Sequence, residues 1–126
     1  PLILGLMPVP PEHFFKEHPF DRTTLKPLVG SGPYVISEVR SGQRVVYTRN
    51  PDWWAKDLPS RRGMFNHDRV VADYYRDTQT AFEALKKGLV DFRIETDATR
   101  WATAYDFEAV REGRFLKEVV PNGLPK

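Results

Sequence analysis

Two apolar-rich runs, separated by a short polar turn, form the clearest pattern in the middle of the chain. The runs are Tyr34–Val39 and Arg44–Arg49, and Ser41-Gly42-Gln43 lies between them. Both runs are rich in β-branched and aromatic residues, which favour strands, and a short turn containing glycine is typical of a hairpin. The pattern therefore predicts an antiparallel hairpin. It ends at Asn50-Pro51, because proline cannot donate a hydrogen bond to a strand ladder.

The next part of the chain changes from strand spacing to helix spacing. Val70–Tyr75 predicts a third strand, and apolar residues at helical spacing follow Asp77-Thr78, either of which can cap a helix. Gly88 is expected to end this helix, and Leu89–Ile94 predicts another strand. A helix between two strands normally connects parallel strands with a right-handed crossover. We therefore predict a β-α-β unit and an α/β fold with a mixed sheet.

Shorter elements are expected on both sides of this region. In chain order they are a strand at Leu2–Met7, a helical turn at Pro11–Lys16, a helix that Asp97 or Thr99 caps and Gly113 ends, and a strand at Phe115–Val120. Eleven prolines and eight glycines in 126 residues agree with short elements joined by loops.

Composition and charge narrow the classes of function. Nineteen basic and 17 acidic residues give a formal net charge of +2, which gives little support to nucleic-acid binding. The absence of cysteine excludes a disulfide framework, a thiolate zinc site and a cysteine nucleophile. No apolar run approaches the roughly 20 residues of a membrane-spanning helix. The chain begins with Pro1 and lacks a charged leader before its first apolar run, so we expect no intact signal peptide here and two internal ends.

The histidines offer two weak candidates for chemistry. His13 and His18 are five residues apart, so they do not share a helical face as a pair of metal ligands on one helix would. Glu12 completes a nominal metal set, but surface histidines are the favoured interpretation. His67 beside Asp68 could act as an acid–base pair, although a single pair in a loop is a weak signal.

Aromatic residues carry more information about a binding surface. Successive side chains of a strand point to opposite faces, so Tyr74 and Tyr75 cannot both lie in a core that covers one face. One of them is a candidate for a ligand-facing or interdomain surface, as are Trp101 and Tyr105, whose rings have a polar edge. Arg76 could pair with a carboxylate such as a peptide terminus.

Several motifs together resemble the family 5 extracellular solute-binding proteins, which are periplasmic peptide and nickel receptors of ABC importers. The matching segments are Met7–Phe14 (MPVPPEHF), Val29–Ile36 (VGSGPYVI), Tyr47–Trp54 (YTRNPDWW) and Ala84–Phe92 (ALKKGLVDF). One departure stands out: Glu12 occupies a position where that family usually has lysine. The resemblance covers most of residues 7–94, and the combination is specific although each segment alone is weak.

Three further segments resemble one branch of that family. Lys56–Pro59, Tyr74–Asp77 and Trp101–Phe107 are similar to the oligopeptide receptors of Yej-type importers, a branch associated with oligopeptides and with peptide antibiotics of the microcin C type. The resemblance implies an oligopeptide ligand, an ABC permease as partner, a periplasmic location, no catalysis and no cofactor.

The resemblance also implies a division of the chain. Receptors of this family are much longer than 126 residues and have two lobes that close over a ligand. The chain would be a fragment of a type II periplasmic-binding-protein lobe. Residues 1–94 would belong to the first lobe, and residues 95–126 would form the interlobe crossover and the start of the second lobe. Unpaired strand edges at two internal ends would make a homodimer of the fragment plausible.

Ligand contacts are expected at the strand-to-helix junction and at the crossover, because loops next to a hinge line a closing cleft. The candidate ligand-binding residues are Tyr75, Arg76, Asp77, Thr78, Glu95, Trp101 and Tyr105. Two alternatives stay open at this stage. One is a small acid–base hydrolase that uses His67 and Asp68, and the other is a nickel or haem receptor of the same family.

Overall fold

The computed structural model describes residues 10–119 and places three strands and four helices in them. The elements are α1 Glu12–Glu17, β1 Tyr34–Arg40, β2 Arg44–Arg49, β3 Arg69–Asp73, α2 Thr78–Lys86, α3 Ala98–Thr103 and α4 Glu108–Arg111. Contacts along the chain divide it into two compact units, Pro1–Tyr74 and Tyr75–Lys126. The expected combination of helices and strands is confirmed.

The first unit is built on a three-stranded antiparallel sheet in the order β1-β2-β3. The predicted hairpin is confirmed: Ile36 pairs with Tyr47 across β1 and β2, and a bulge shifts the register before Glu38. Val46 of the central strand pairs with Val71 of β3 and is only 1% exposed. The sheet therefore has its most protected point on β2, where both edges are paired.

Two segments of the first unit are joined at one main-chain atom. The carbonyl oxygen of Ser31 accepts hydrogen bonds from the indole nitrogens of Trp53 and Trp54, at 3.0 and 3.1 Å. The Asn50 N–H donates to the Pro33 carbonyl at 2.8 Å, which ties the end of β2 to the start of β1. These bonds give the motifs around Val29–Ile36 and Tyr47–Trp54 a structural role.

The second unit has its core beneath α2. Asp77 caps this helix by accepting a hydrogen bond from the Thr80 N–H at 2.7 Å, and Gly88 ends it with φ of 70°. Phe82 and Leu85 are buried on one face of the helix. Phe82 contacts the rings of Tyr105 and Phe107, at centroid distances of 5.0 and 6.2 Å.

The predicted parallel crossover is wrong for the described residues. Leu89–Ile94 forms no strand, and every strand pairing described is antiparallel. A strand needs a partner, and Leu89, Phe92 and Ile94 are instead exposed. The neighbouring Arg93 donates a hydrogen bond to the carboxylate of Glu95, two residues further along the chain.

Other predicted elements have mixed outcomes. Residues 115–119 form no strand, while Val120 and the predicted strand at Leu2–Met7 lie outside the described residues. The helix expected between Asp97 and Gly113 is present as two short helices, α3 and α4. Phe107 interrupts it with extended backbone, which is consistent with the packing of its ring against Phe82.

Candidate ligand-binding site

The carboxylate of Glu95 is the centre of a hydrogen-bonded cluster in the second unit. It lies where the extended segment after α2 meets α3. Glu95 is 3% exposed at its side chain, and its Oε1 accepts hydrogen bonds from the Asp97 N–H at 3.0 Å and from Arg100 Nη1 at 3.4 Å. Its Oε2 accepts from the Tyr105 hydroxyl at 3.1 Å and from Arg93 Nη2 at 3.3 Å. We call Glu95, Arg93, Arg100 and Tyr105 the Glu95 cluster.

Local sequence explains how these four side chains meet. Arg93 and Glu95 are two residues apart on extended chain, so their side chains lie on one side of it. Asp97 caps α3 by accepting a hydrogen bond from the Arg100 N–H at 3.0 Å, and this cap fixes the first turn that carries Arg100. The side chains of Arg93 and Arg100 are 14% and 19% exposed, so both guanidinium groups are largely screened from solvent.

The environment of the cluster controls the ionisation of its members. Burial opposes ionisation of Glu95, but the Asp97 N–H, the Tyr105 hydroxyl and the charges of Arg93 and Arg100 outweigh it, so the pKa of Glu95 lies below its ordinary value. Burial, together with the hydrogen bond to Glu95 and its negative charge, raises the pKa of Tyr105. Glu95 is therefore an anion and Tyr105 a neutral donor near neutral pH.

Trp101 packs against Tyr105 of the cluster, and the two rings form an aromatic surface. Their ring centroids are 5.4 Å apart. Lys117 places its ammonium 4.6 Å from the Trp101 ring centroid and donates to the Trp101 carbonyl at 2.5 Å. Such a surface offers apolar ring faces next to positive charge, a combination that suits both apolar and anionic groups of a ligand.

The strand-to-helix junction has a simpler geometry. Asp77 is engaged as the cap of α2, and Arg76 Nε donates to its other carboxylate oxygen at 3.1 Å. The hydrogen bonds from Thr80, followed by that from Arg76, lower the pKa of Asp77 to about 2. Arg76 is 90% exposed at its side chain, and Thr78 is exposed at the start of α2. Tyr75 is half-buried.

The structure thus brings together one part of the expected site. Glu95, Trp101 and Tyr105 are neighbours, and α2 joins them through the contact between Phe82 and Tyr105. In the described part of the chain, no hydrogen bond or ion pair links the side chains of residues 75–78 to the Glu95 cluster. That all seven residues contact a ligand stays a prediction.

Arg93 and Arg100 are the members of the Glu95 cluster that the sequence analysis did not predict. The i,i+2 spacing of Arg93 and Glu95 was an available signal for the first. The second could have been found from Asp97 as a cap, because a cap at Asp97 places Arg100 in the first turn of α3.

Two of the residues considered for metal binding or acid–base chemistry have structural contacts instead. His18 stacks on Phe14 with ring centroids 4.8 Å apart, and Asp68 forms an ion pair with Arg49. Within residues 10–119, no group of three or more His, Cys, Asp and Glu residues could hold a metal ion. None of the helices in that same range is long and apolar enough to span a membrane.

Comparison with known proteins identifies what the chain is similar to. Residues 1–123 match the model of the family described as bacterial extracellular solute-binding proteins, family 5 Middle. A putative binding protein of Brucella melitensis is 48% identical over 124 residues, which cover 98% of this chain and 20% of the relative. A probable peptide-binding protein YejA of Agrobacterium fabrum is 41% identical over 129 residues, covering 97% of this chain and 21% of the relative.

A second Agrobacterium fabrum protein, the peptidoglycan-binding protein YepA, is 41% identical over 133 residues, covering 99% of this chain and 22% of the relative. The chain spans about a fifth of the length of the curated relatives it matches. The helices and antiparallel sheet are consistent with a fragment of a lobe of such a protein. The chain belongs to family 5 of the bacterial extracellular solute-binding proteins.

Proposed function

We propose that this chain contributes part of the ligand site of a periplasmic receptor that delivers oligopeptides to an ABC permease, without catalysis. Family membership supports the receptor class, and the names of two relatives, a probable peptide-binding protein and a peptidoglycan-binding protein, support peptide-containing ligands. The relatives come from Gram-negative bacteria, which supports the periplasm as location.

The observation that carries the proposal is the aromatic surface of Trp101 and Tyr105 beside the Glu95 cluster. A peptide presents amides, carboxylates and side chains of varied size. Ring faces accept varied side chains at low entropic cost, and arginine side chains pair well with carboxylates. Because Glu95 is already satisfied by its own chain, its proposed part is to hold Arg93 and Arg100 in place.

The remaining predicted contacts fit the same proposal. Arg76 is exposed, and its guanidinium is joined to a single carboxylate, so it retains donors for a ligand carboxylate. Thr78 and Tyr75 would contact the ligand from the same junction. Peptides of the microcin C type are proposed as one class of cargo, and a homodimer of the chain is a further prediction.

The test measures peptide binding to the full-length receptor that carries this chain. Isothermal titration calorimetry with oligoalanine and with a peptidoglycan stem peptide would compare the wild type with Trp101→Ala. Removing a half-buried ring from a binding surface is expected to weaken binding about tenfold. Trp54→Ala is the matched control, because Trp54 is 73% exposed in the other unit and is expected to leave affinity unchanged.

Two results would contradict the proposal at different levels. If neither probe binds the wild-type receptor, peptide binding is wrong. If the wild type binds but Trp101→Ala and Trp54→Ala have the same affinity as the wild type, Trp101 is not part of the site.

A further inference from the structure

A pocket in the first unit shares no residue with the candidate site. Its lining contains basic side chains and no carboxylate. It encloses about 340 Å³ where the end of β2 meets the loop that follows Trp53. Its walls include three apolar side chains, Trp53, Met64 and Phe65, and no aspartate or glutamate. A volume of this size is at the lower end of the roughly 300–1,000 Å³ that is usual for small-molecule sites.

The aromatic wall of the pocket is fixed by its own contacts. The Trp53 indole donates to the Ser31 carbonyl at 3.0 Å, and the Phe65 ring lies edge-on to it with centroids 5.3 Å apart. Phe65 has φ of 57°, a left-handed conformation that is uncommon for a bulky residue. Met64 is 49% exposed and adds an adaptable apolar surface to this wall.

Three cations from this loop and from β2 line the same pocket. Arg49 is neutralised by its ion pair with Asp68. Lys56 Nζ donates a hydrogen bond to the Pro51 carbonyl at 2.9 Å. Because a carbonyl group is neutral, this bond does not balance the charge of the ammonium group. Within residues 10–119, no carboxylate lies within ion-pair distance of Lys56 or Arg61. The pocket thus combines an apolar wall with two positive charges that have no counterion from the described chain.

We propose that this pocket binds a small organic carboxylate that carries an aromatic or branched aliphatic group. The carboxylate would accept charge-assisted hydrogen bonds from Arg61 and Lys56, and the apolar group would lie against Trp53 and Met64. A neutral ligand would leave Lys56 and Arg61 without a negatively charged partner. A purely inorganic anion would leave the apolar side chains of the wall exposed to water. This pocket shares no residue with the proposed peptide site, which uses residues of the second unit.

The experiment uses the full-length receptor and two probes that differ in one group. Saturation-transfer NMR titrations would compare N-acetyl-L-phenylalanine with its neutral amide, N-acetyl-L-phenylalaninamide. We expect the acid to bind at least tenfold more tightly than the amide. Affinity for the acid is also expected to fall as salt is raised, because exposed charges are screened.

Two variants locate the interaction. Arg61→Gln is expected to weaken binding of the acid about tenfold, as the loss of a charge-assisted hydrogen bond implies. Arg62→Gln is the matched control, since Arg62 is adjacent in sequence but does not line the pocket. Met64→Ala is expected to weaken binding about threefold through lost apolar contact. Circular dichroism would verify that each variant is folded.

Equal affinities for the acid and the amide would overturn the proposal, as would equal affinities of Arg61→Gln and Arg62→Gln for the acid. Binding of the oligoalanine probe would be measured in the same samples. Because Arg61 is not among the residues proposed to contact the peptide, Arg61→Gln is expected to leave that binding unchanged. A failure of this inference is therefore distinguishable from a failure of the proposed peptide function.

Discussion

At the scale of single residues, Glu95 shows how a partly buried charge is stabilised by its own chain. One carboxylate accepts hydrogen bonds from two arginines, a tyrosine hydroxyl and a backbone N–H. Without the negative charge of Glu95, the positive charges of Arg93 and Arg100 would repel one another at a place that is largely shielded from solvent. The cost of the substitution therefore comes as much from the arginines left behind as from the lost carboxylate.

Glu95→Gln is expected to lower the free energy of unfolding by about 1–2 kcal/mol, because the negative charge opposite Arg93 and Arg100 is lost and the amide nitrogen of glutamine cannot accept a hydrogen bond. Urea unfolding followed by circular dichroism would measure it. Glu118→Gln is the control, since Glu118 is exposed and no interaction is described for it within residues 10–119. Equal stability of the two variants would show that the Glu95 cluster contributes nothing to folding.

The pH dependence of stability follows from the same residue. The pKa of Glu95 is lower in the folded chain than the reference value of 4.5, so the unfolded state binds its proton first as the pH falls. Its stabilising contribution is complete above pH 4.5 and is lost as the pH falls through the folded pKa. Between pH 6 and pH 3, the free energy of unfolding is expected to change less with pH in Glu95→Gln than in the wild type. Identical slopes of this free energy against pH would contradict the prediction.

At the scale of elements, helix ends and tight turns are where sequence determines structure most directly. Asp77 was one of two predicted caps and is the cap observed, and Gly88 ends α2 as expected. The hairpin turn depends on Gly42, which has φ of 68°. These features need only neighbouring residues, so a single sequence is enough to predict them.

The cap of α2 can be tested by exchanging one side chain. Asp77→Ala removes the acceptor for the Thr80 N–H and is expected to lower the melting temperature by a few degrees. Asp77→Ser retains an acceptor at the same position and is expected to recover most of the loss. If alanine and serine have the same effect, the cap is not the source of the stability.

The hairpin turn offers a paired glycine test. Gly42→Ala is expected to cost about 1 kcal/mol of unfolding free energy, because a Cβ atom is strained at φ of 68°, although no heavy atom beyond residue 42 and its two chain neighbours lies within 4 Å of it. Gly32→Ala is the control, since Gly32 is also free of neighbours within 4 Å but lacks positive φ. Denaturant unfolding of both variants would show whether backbone strain alone explains the difference.

At the scale of the whole molecule, the sequence was a poorer guide. The composition of Leu89–Ile94 favours a strand, but the predicted strand is wrong, because a strand also needs a partner and none of the described strands pairs with this segment. Likewise, Glu95 and Tyr105 were predicted as candidate site residues while Arg93 and Arg100 were not, because the cluster forms only when the extended chain and α3 meet. The division into lobes at residue 95 stays a prediction.

Exposed apolar residues allow a test at this scale. Leu89, Phe92, Ile94, Leu116 and Val119 are all exposed. The 126-residue chain alone is therefore expected to bind the dye 8-anilinonaphthalene-1-sulfonate, with a rise in its fluorescence. The double variant Phe92→Ser, Ile94→Ser should reduce that fluorescence, whereas Thr96→Ser, a small change at an exposed polar position, should not. Dye fluorescence unaffected by the double variant would contradict the expectation that the exposed side chains of Phe92 and Ile94 bind the dye.

The shared acceptor at Ser31 has a consequence for how substitutions are tolerated. Two tryptophans depend on a carbonyl group, which every amino acid supplies, so the identity of the side chain at position 31 is free to vary while the path of the backbone is not. We expect Ser31→Ala to be nearly silent. Substitutions that reorient this carbonyl would break both indole hydrogen bonds at once. The positions of two side chains more than twenty residues away along the chain therefore depend on a single backbone atom.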